Sequence, residues 1–191
     1  MNIKFAALLA AAALSVAACE QQAATPQQAS AVPAADTASA TPSAPPAAAP
    51  QTLTSSDNAV SISVTGNFQD QLGGNALPEG AEAGTILQQY DENTDITLTV
   101  VDAGKPVKPA KEYYANLKTA LEQAGFANLK AGAATENRMD YSFTDAEGNN
   151  HNCINIYSPD NLYAVCAFSS SADNATLAET LKDVKLLKKA M

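Results

Sequence analysis

The sequence predicts an α+β domain, an antiparallel sheet of about six or seven strands with a central and a C-terminal helix, carried on an unstructured N-terminal segment. Three observations carry that expectation. Apolar residues alternate strictly with polar ones at Val60-Ile62-Val64, Ile96-Leu98-Val100 and Met139-Tyr141-Phe143. A helical-period stripe runs through Tyr113, Leu117, Ala120, Leu121 and Ala124. Two cysteines, Cys153 and Cys166, sit symmetrically about a turn sequence.

The strands follow in order. Val60-Ser61-Ile62-Ser63-Val64 reads as a half-buried strand. Gly66, Gly73, Gly74, Pro78, Gly80 and Gly84 mark a long loop. Ile86 to Tyr90 and Ile96 to Val100 flank the turn residues Asp91-Glu92-Asn93-Thr94 and form an antiparallel hairpin. The helix is bracketed by Pro109, suited to a first turn, and Gly125, suited to the position past the end. With Gly125 at C′, Phe126 and Leu121 take the places of the hydrophobic contact in a Schellman cap. Leu129 to Ala133 is a short strand, and Met139 to Phe143 another. Asp145 to Asn150 turns the chain into Cys153–Tyr157, and Leu162–Phe168 follows. A closing helix starts at Asp173 or Asn174, both competent caps. Its expected apolar face is Leu177, Leu181 and Val184, with Lys182, Lys185, Lys188 and Lys189 at the C-terminal end, where the helix dipole favours cations.

Cys153 and Cys166 share their midpoint with Pro159 and Asp160. An even-length loop centred there places the two directly opposite on one face, within disulfide reach. The same register pairs Ile154 with Val165 and Ile156 with Tyr163 on the other face. An odd-length loop with Asn161 left-handed would shift the pairing by one. The spacing is not C-x-x-C, so a thioredoxin-like redox motif is unsupported.

The 191-residue chain has a net charge of −9 and one histidine. With no basic stretch it lacks the electrostatic footprint of a nucleic-acid binder. No cofactor motif and no metal set stand out. His151 has no second histidine for zinc, and neither a G-x-S-x-G elbow nor an H-E-x-x-H accompanies it. It reads as structural. Asp145-Ala146-Glu147-Gly148-Asn149-Asn150 lacks calcium-loop spacing, and Asp91, Glu92 and Asp95 read as a solvated turn. Tyr113, Tyr114, Tyr157 and Tyr163 could line a surface, with Tyr113 and Tyr163 expected in the core. No catalytic residue is assigned.

The N-terminal segment carries an address. Met1-Asn2-Ile3-Lys4 is a positive n-region, and Phe5 to Ala18 is apolar but too short to span a bilayer. It ends Val16-Ala17-Ala18-Cys19, which resembles the lipobox of bacterial lipoprotein precursors. That resemblance implies removal of residues 1–18 and acylation of Cys19, with palmitate-type chains anchoring the mature protein. Two or more acyl chains hold a protein stably on a membrane. In the lipoprotein sorting pattern an Asp after the cysteine favours the inner membrane; Glu20 stands there instead, which favours the outer membrane, on its periplasmic or surface side, and leaves the inner membrane open.

Residues 19–57 are then a tether of Ala, Pro, Ser, Thr and Gln holding six of the ten prolines. It lacks the apolar surface to offset its chain entropy. Its root-mean-square reach is roughly 35 Å, and roughly 120 Å when extended. Residues 58–191 form the folded domain. Its opening Val60-Ser61-Ile62-Ser63-Val64, then Gly66-Asn67-Phe68-Gln69-Asp70, the helix after a proline and the closing Leu181-Lys182-Asp183-Val184 resemble the DcrB and PsbP-like family. The resemblance implies an αβα sandwich and a non-enzymatic binding or accessory role in the cell envelope, with the bilayer and an envelope protein as partners. Two other roles remain open on the sequence: a cell-wall hydrolase acting through a carboxylate pair, and a surface antigen or inhibitor presenting residues 69–83.

Overall fold

A computed structural model describes residues 49–73, 77 and 81–187. The chain divides into two units, Met1–Ala44 and Pro45–Met191, and all described residues belong to the second. The signal segment, Cys19 and most of the expected tether lie outside the described residues.

The described chain runs β1 (Pro50–Thr54), β2 (Val60–Thr65), β3 (Gln69–Asp70), β4 (Thr85–Asp91), β5 (Ile96–Asp102), α1 (Ala110–Gln123), β6 (Ala127–Ala131), β7 (Arg138–Thr144), β8 (Asn150–Tyr157), β9 (Leu162–Ser169), α2 (Asn174–Thr180) and β10 (Val184–Leu186). Seven strands form one sheet in the order β3-β4-β5-β9-β8-β7-β6, and β1-β2-β10 form a second. Every pairing is antiparallel. The α+β class and the antiparallel sheet are as the sequence predicts.

Strand alternation divides the large sheet between two cores. Ile96, Leu98, Val100, Ile154, Ile156, Tyr163 and Val165 point to one face and pack with Val60, Ile62 and Val64 of β2, Leu177 and Leu181 around α2, and Val184 of β10. Ile62, Leu98, Val100, Val165 and Leu177 are wholly inaccessible to water, and each such side chain contributes about 1.5–3 kcal/mol by burial. On the other face α1 covers β6, β7 and β8 through Tyr114, Leu121 and Met139, with Leu117, Phe126 and Tyr141 at the margin.

Four expectations are corrected. The segment read as tether, residues 19–57, contains a strand of the fold, because β1 pairs with β2 from Pro50↔Thr65 to Thr54↔Ser61. Its only apolar anchor is Leu53, so main-chain pairing rather than a hydrophobic pattern holds it. Pro50 is tolerated as the first residue of an edge strand. The closing helix is shorter than its apolar stripe suggests. Asp173 caps it, its carboxylate accepting the Thr176 N–H at 2.8 Å, but it ends at Thr180. Val184, expected on the helix face, instead pairs with Ile62 in β10, so the Lys182 and Lys185 side chains do not cap a helix C-terminus; Lys188 and Lys189 lie outside the described residues. On α1 the buried tyrosine is Tyr114, while Tyr113 is half-buried and Ala120 and Ala124 are exposed. The short strand expected at 129–133 is β6, starting two residues earlier. Gly125 takes a left-handed φ of 73°, the conformation that ends α1.

Candidate functional site

Cys153 of β8 and Cys166 of β9 are directly opposed, with Cα atoms 4.2 Å apart and sulfurs at disulfide distance, 2.19 Å. The turn between them has the even length the shared midpoint requires. Ser158 N–H donates to the Asn161 carbonyl at 2.9 Å, and Tyr157 pairs with Leu162. Ile154↔Val165 and Ile156↔Tyr163 follow on the opposite face. Cys153 is 1% exposed, while Cys166 is half-buried, so the pair sits in the middle of the sheet with one sulfur-bearing residue partly open to solvent.

His151 lies two positions before Cys153, on the same face. Its ring stacks between those of its cross-strand neighbours, Phe143 at 4.5 Å and Phe168 at 5.3 Å, and Phe126 continues the row at 4.1 Å from Phe143. Its Nε2 is 2.8 Å from Asp145 Oδ2. Asp145 also accepts the Glu147 and Asn149 N–H groups at 3.0 and 2.8 Å and the Asn149 side-chain amide at 2.9 Å. Burial alone pushes this carboxyl up, but the bonds from Asn149 and His151 outweigh it and hold it at about 2. The pair therefore ties the β7–β8 turn to the sheet. No local pattern marks the aromatic row, because Phe143, His151 and Phe168 come from three different strands and Phe126 from the turn between α1 and β6.

In the acidic turn between β4 and β5 Glu92 is exposed as expected, but Asp91 and Asp95 are not free in solvent. Asp91 is 1% exposed and accepts the N–H groups of Asn67 at 3.1 Å and Asn93 at 3.0 Å. Burial raises its carboxyl, and these backbone donors overcome that and hold it below the ordinary value. Asp95, at a left-handed φ of 53°, accepts the hydroxyls of Ser170, Ser171 and Ser169 and of Tyr90. Each of these carboxylates holds a loop in place. Among the described residues no three His, Cys, Asp or Glu side chains gather as a metal site.

The remaining polar cluster lies under α1. Tyr113 donates its hydroxyl to Asn155 Oδ1 at 2.5 Å, and Asn155 Nδ2 donates to the Tyr141 hydroxyl at 3.1 Å. The Tyr114 hydroxyl donates to the Asn155 carbonyl at 3.3 Å. Burial pushes the Tyr114 and Tyr141 hydroxyls up to about 12. Asn155 alternates with Ile154 and Ile156, so the sequence shows it only as an outward-facing polar residue; nothing local marks it as 5% exposed beneath a helix. Tyr157 closes the cluster by donating to the Lys108 carbonyl at 3.0 Å, while Tyr163 faces the opposite core and donates to Asp57.

Beside this cluster is a groove of about 420 Å³ between α1 and the β6–β7 connection, floored by Tyr114 and Met139. A second, polar depression of about 650 Å³ lies between β2 and α2, walled by Ser63, Thr65, Thr176 and Thr180. The ion pair between Glu179 and Lys182 lies at its margin. The first has the size of a small-molecule site and an apolar floor, and it is the candidate site of the fold. Among the described residues no helix is long and apolar enough to cross a membrane.

No protein-family model matches the chain, and no curated protein matches it. Among solved structures the chain is similar to the solution structure of cyanobacterial PsbP (CyanoP) from Synechocystis sp. PCC 6803. Identity is 12%, the match covers 73% of this chain and 94% of that one, and the TM-score is 0.47.

Proposed function

We propose that this chain is a lipid-anchored protein of the bacterial cell envelope whose α+β domain serves as a binding or accessory module. The observation that carries this reading is Val16-Ala17-Ala18-Cys19 directly after a positive n-region and a short apolar run. Acylated at Cys19, the mature chain would hold the bilayer through its lipid, and the Ala/Pro-rich segment up to Pro50 would stand the domain off the surface. Two further features agree with this assignment. Cys153 and Cys166 are placed to bond, which suits an oxidising compartment outside the cytosol. Four acid–base groups that the sequence singles out, His151, Asp91, Asp95 and Asp145, are each engaged in holding a turn. Glu20 after the cysteine favours the outer membrane, and an envelope protein is the partner such a module would serve.

The test is metabolic labelling of the full chain in bacteria with an alkyne-bearing palmitate analogue, followed by mass spectrometry of the N-terminal peptide. The expected result is a mature chain starting at an acylated Cys19, sedimenting with outer-membrane fractions, and loss of label in Cys19→Ala. An unmodified N-terminus, or membrane association that survives Cys19→Ala in a processed chain, overturns the anchor. Affinity capture from detergent-solubilised envelope tests the module, and recovery of no specific envelope component argues against it.

A further inference from the structure

The groove between α1 and the β6–β7 connection combines three features. Its floor is apolar, made by Tyr114 and Met139, which are 2% and 1% exposed. Its walls are opened by small side chains, Ala110 and Ala115 on the helix and Gly132, Ala133 and Ala134 opposite, so no long side chain fills the space. Its mouth carries Lys111 and Lys118, seven residues apart and therefore on one helix face two turns from each other. Neither lysine has a salt-bridge partner among the described residues, whereas their neighbour Lys108 is paired with Glu112. Glu136 is the single acid in the lining.

Two unpaired cations over an apolar floor, on a chain of net charge −9, are complementary to an anionic head joined to an aliphatic tail. We propose that this groove binds a single-chain amphiphilic anion, a carboxylate on an aliphatic chain, with the tail against Tyr114 and Met139 and the head between Lys111 and Lys118. The Tyr114 hydroxyl is already bonded to the Asn155 carbonyl, so it presents the tail with its ring and demands no hydrogen bond from it. The ligand is the same whether or not Cys19 is acylated, so failure of the anchor test leaves this site standing and the converse also holds.

The experiment titrates dodecanoate, below the concentration at which it aggregates, into the isotope-labelled full chain and follows amide shifts. Saturable shifts are expected at Ala115, Gly132 and Met139. Lys111→Glu with Lys118→Glu should weaken binding roughly tenfold or more, since two charge contacts turn repulsive. Ala115→Phe, at an exposed helical position, should abolish the shifts by filling the groove. Dodecyltrimethylammonium, with the same tail and the opposite charge, should bind at least tenfold more weakly. Absence of saturable shifts at these residues overturns the proposal. So does equal binding of the cation, or an unchanged affinity in the double lysine variant, which keeps the test decisive even if Ala115→Phe disturbs the fold.

Discussion

Reduction of the Cys153–Cys166 pair is expected to destabilise the domain through its unfolded state. The cysteines are 13 residues apart in sequence and directly opposed in register, with Cα atoms 4.2 Å apart. Bonding them closes a loop whose restriction of the unfolded chain is worth about 3 kcal/mol. Two thiols occupy nearly the same place as the bond, and the flanking pairs Ile154↔Val165 and Asn155↔Ala164 persist without it. The loss therefore appears as a more expanded denatured ensemble, not as a disrupted sheet. Urea unfolding of the chain with and without reductant measures this. The midpoint should fall by the equivalent of about 3 kcal/mol, the slope should rise as more surface is exposed, and the melting temperature should drop by roughly 10 °C. Cys153→Ala with Cys166→Ala should be indifferent to reductant. Coincident unfolding curves in the two conditions would refute the reasoning, as would two freely alkylatable thiols in chain exported to an oxidising compartment.

Other outcomes follow from the carboxylates. Asp145 titrates at about 2 when folded, against an ordinary 3.8, so its contribution is fully present above the unfolded value and disappears as pH falls from about 4 towards 2. With the side chain 19% exposed, Asp145→Asn should cost about 1–2 kcal/mol at pH 7 and almost nothing at pH 2, read from urea midpoints across that range. Gly66→Ala should cost about 1–3 kcal/mol, because the new Cβ would stand 2.6 Å from Asp91 Oδ2 and 2.8 Å from the Phe68 ring. A double-mutant cycle with Asp91→Ala should show the two changes coupled, and additive effects would place the strain elsewhere.

How far the sequence could be read depended on whether the information was local. Ile96, Leu98 and Val100 announced β5 because period-two alternation is a property of a few consecutive residues, here Ile96 to Val100. The Cys153–Cys166 register was legible for the same reason: a hairpin with a short turn fixes its own pairing. β1 was not legible, since one leucine among polar residues has no period and the strand exists only because β2 is beside it. β10 was misread because Leu177, Leu181 and Val184 satisfy a helical spacing, while the pairing of Val184 with Ile62 is decided by residues more than a hundred positions away. The candidate site was opaque for a related reason. Tyr114 and Met139 are each ordinary core residues in sequence, and the groove appears only when α1 crosses β7 beside a run of small residues.

That distant pairing of β10 has a consequence for how the molecule matures. Residues 184–186 complete the sheet begun by residues 60–65, and Leu177 and Leu181, just upstream, enter the same core. A chain emerging from its N-terminus could assemble the β4–β5 hairpin and α1 early, because those contacts are close in sequence. The three-stranded sheet must wait for the tail. Until then β2 lacks its β10 neighbour and the core lacks Leu177, Leu181 and Val184, so residues 177–186 act as the latch that closes it.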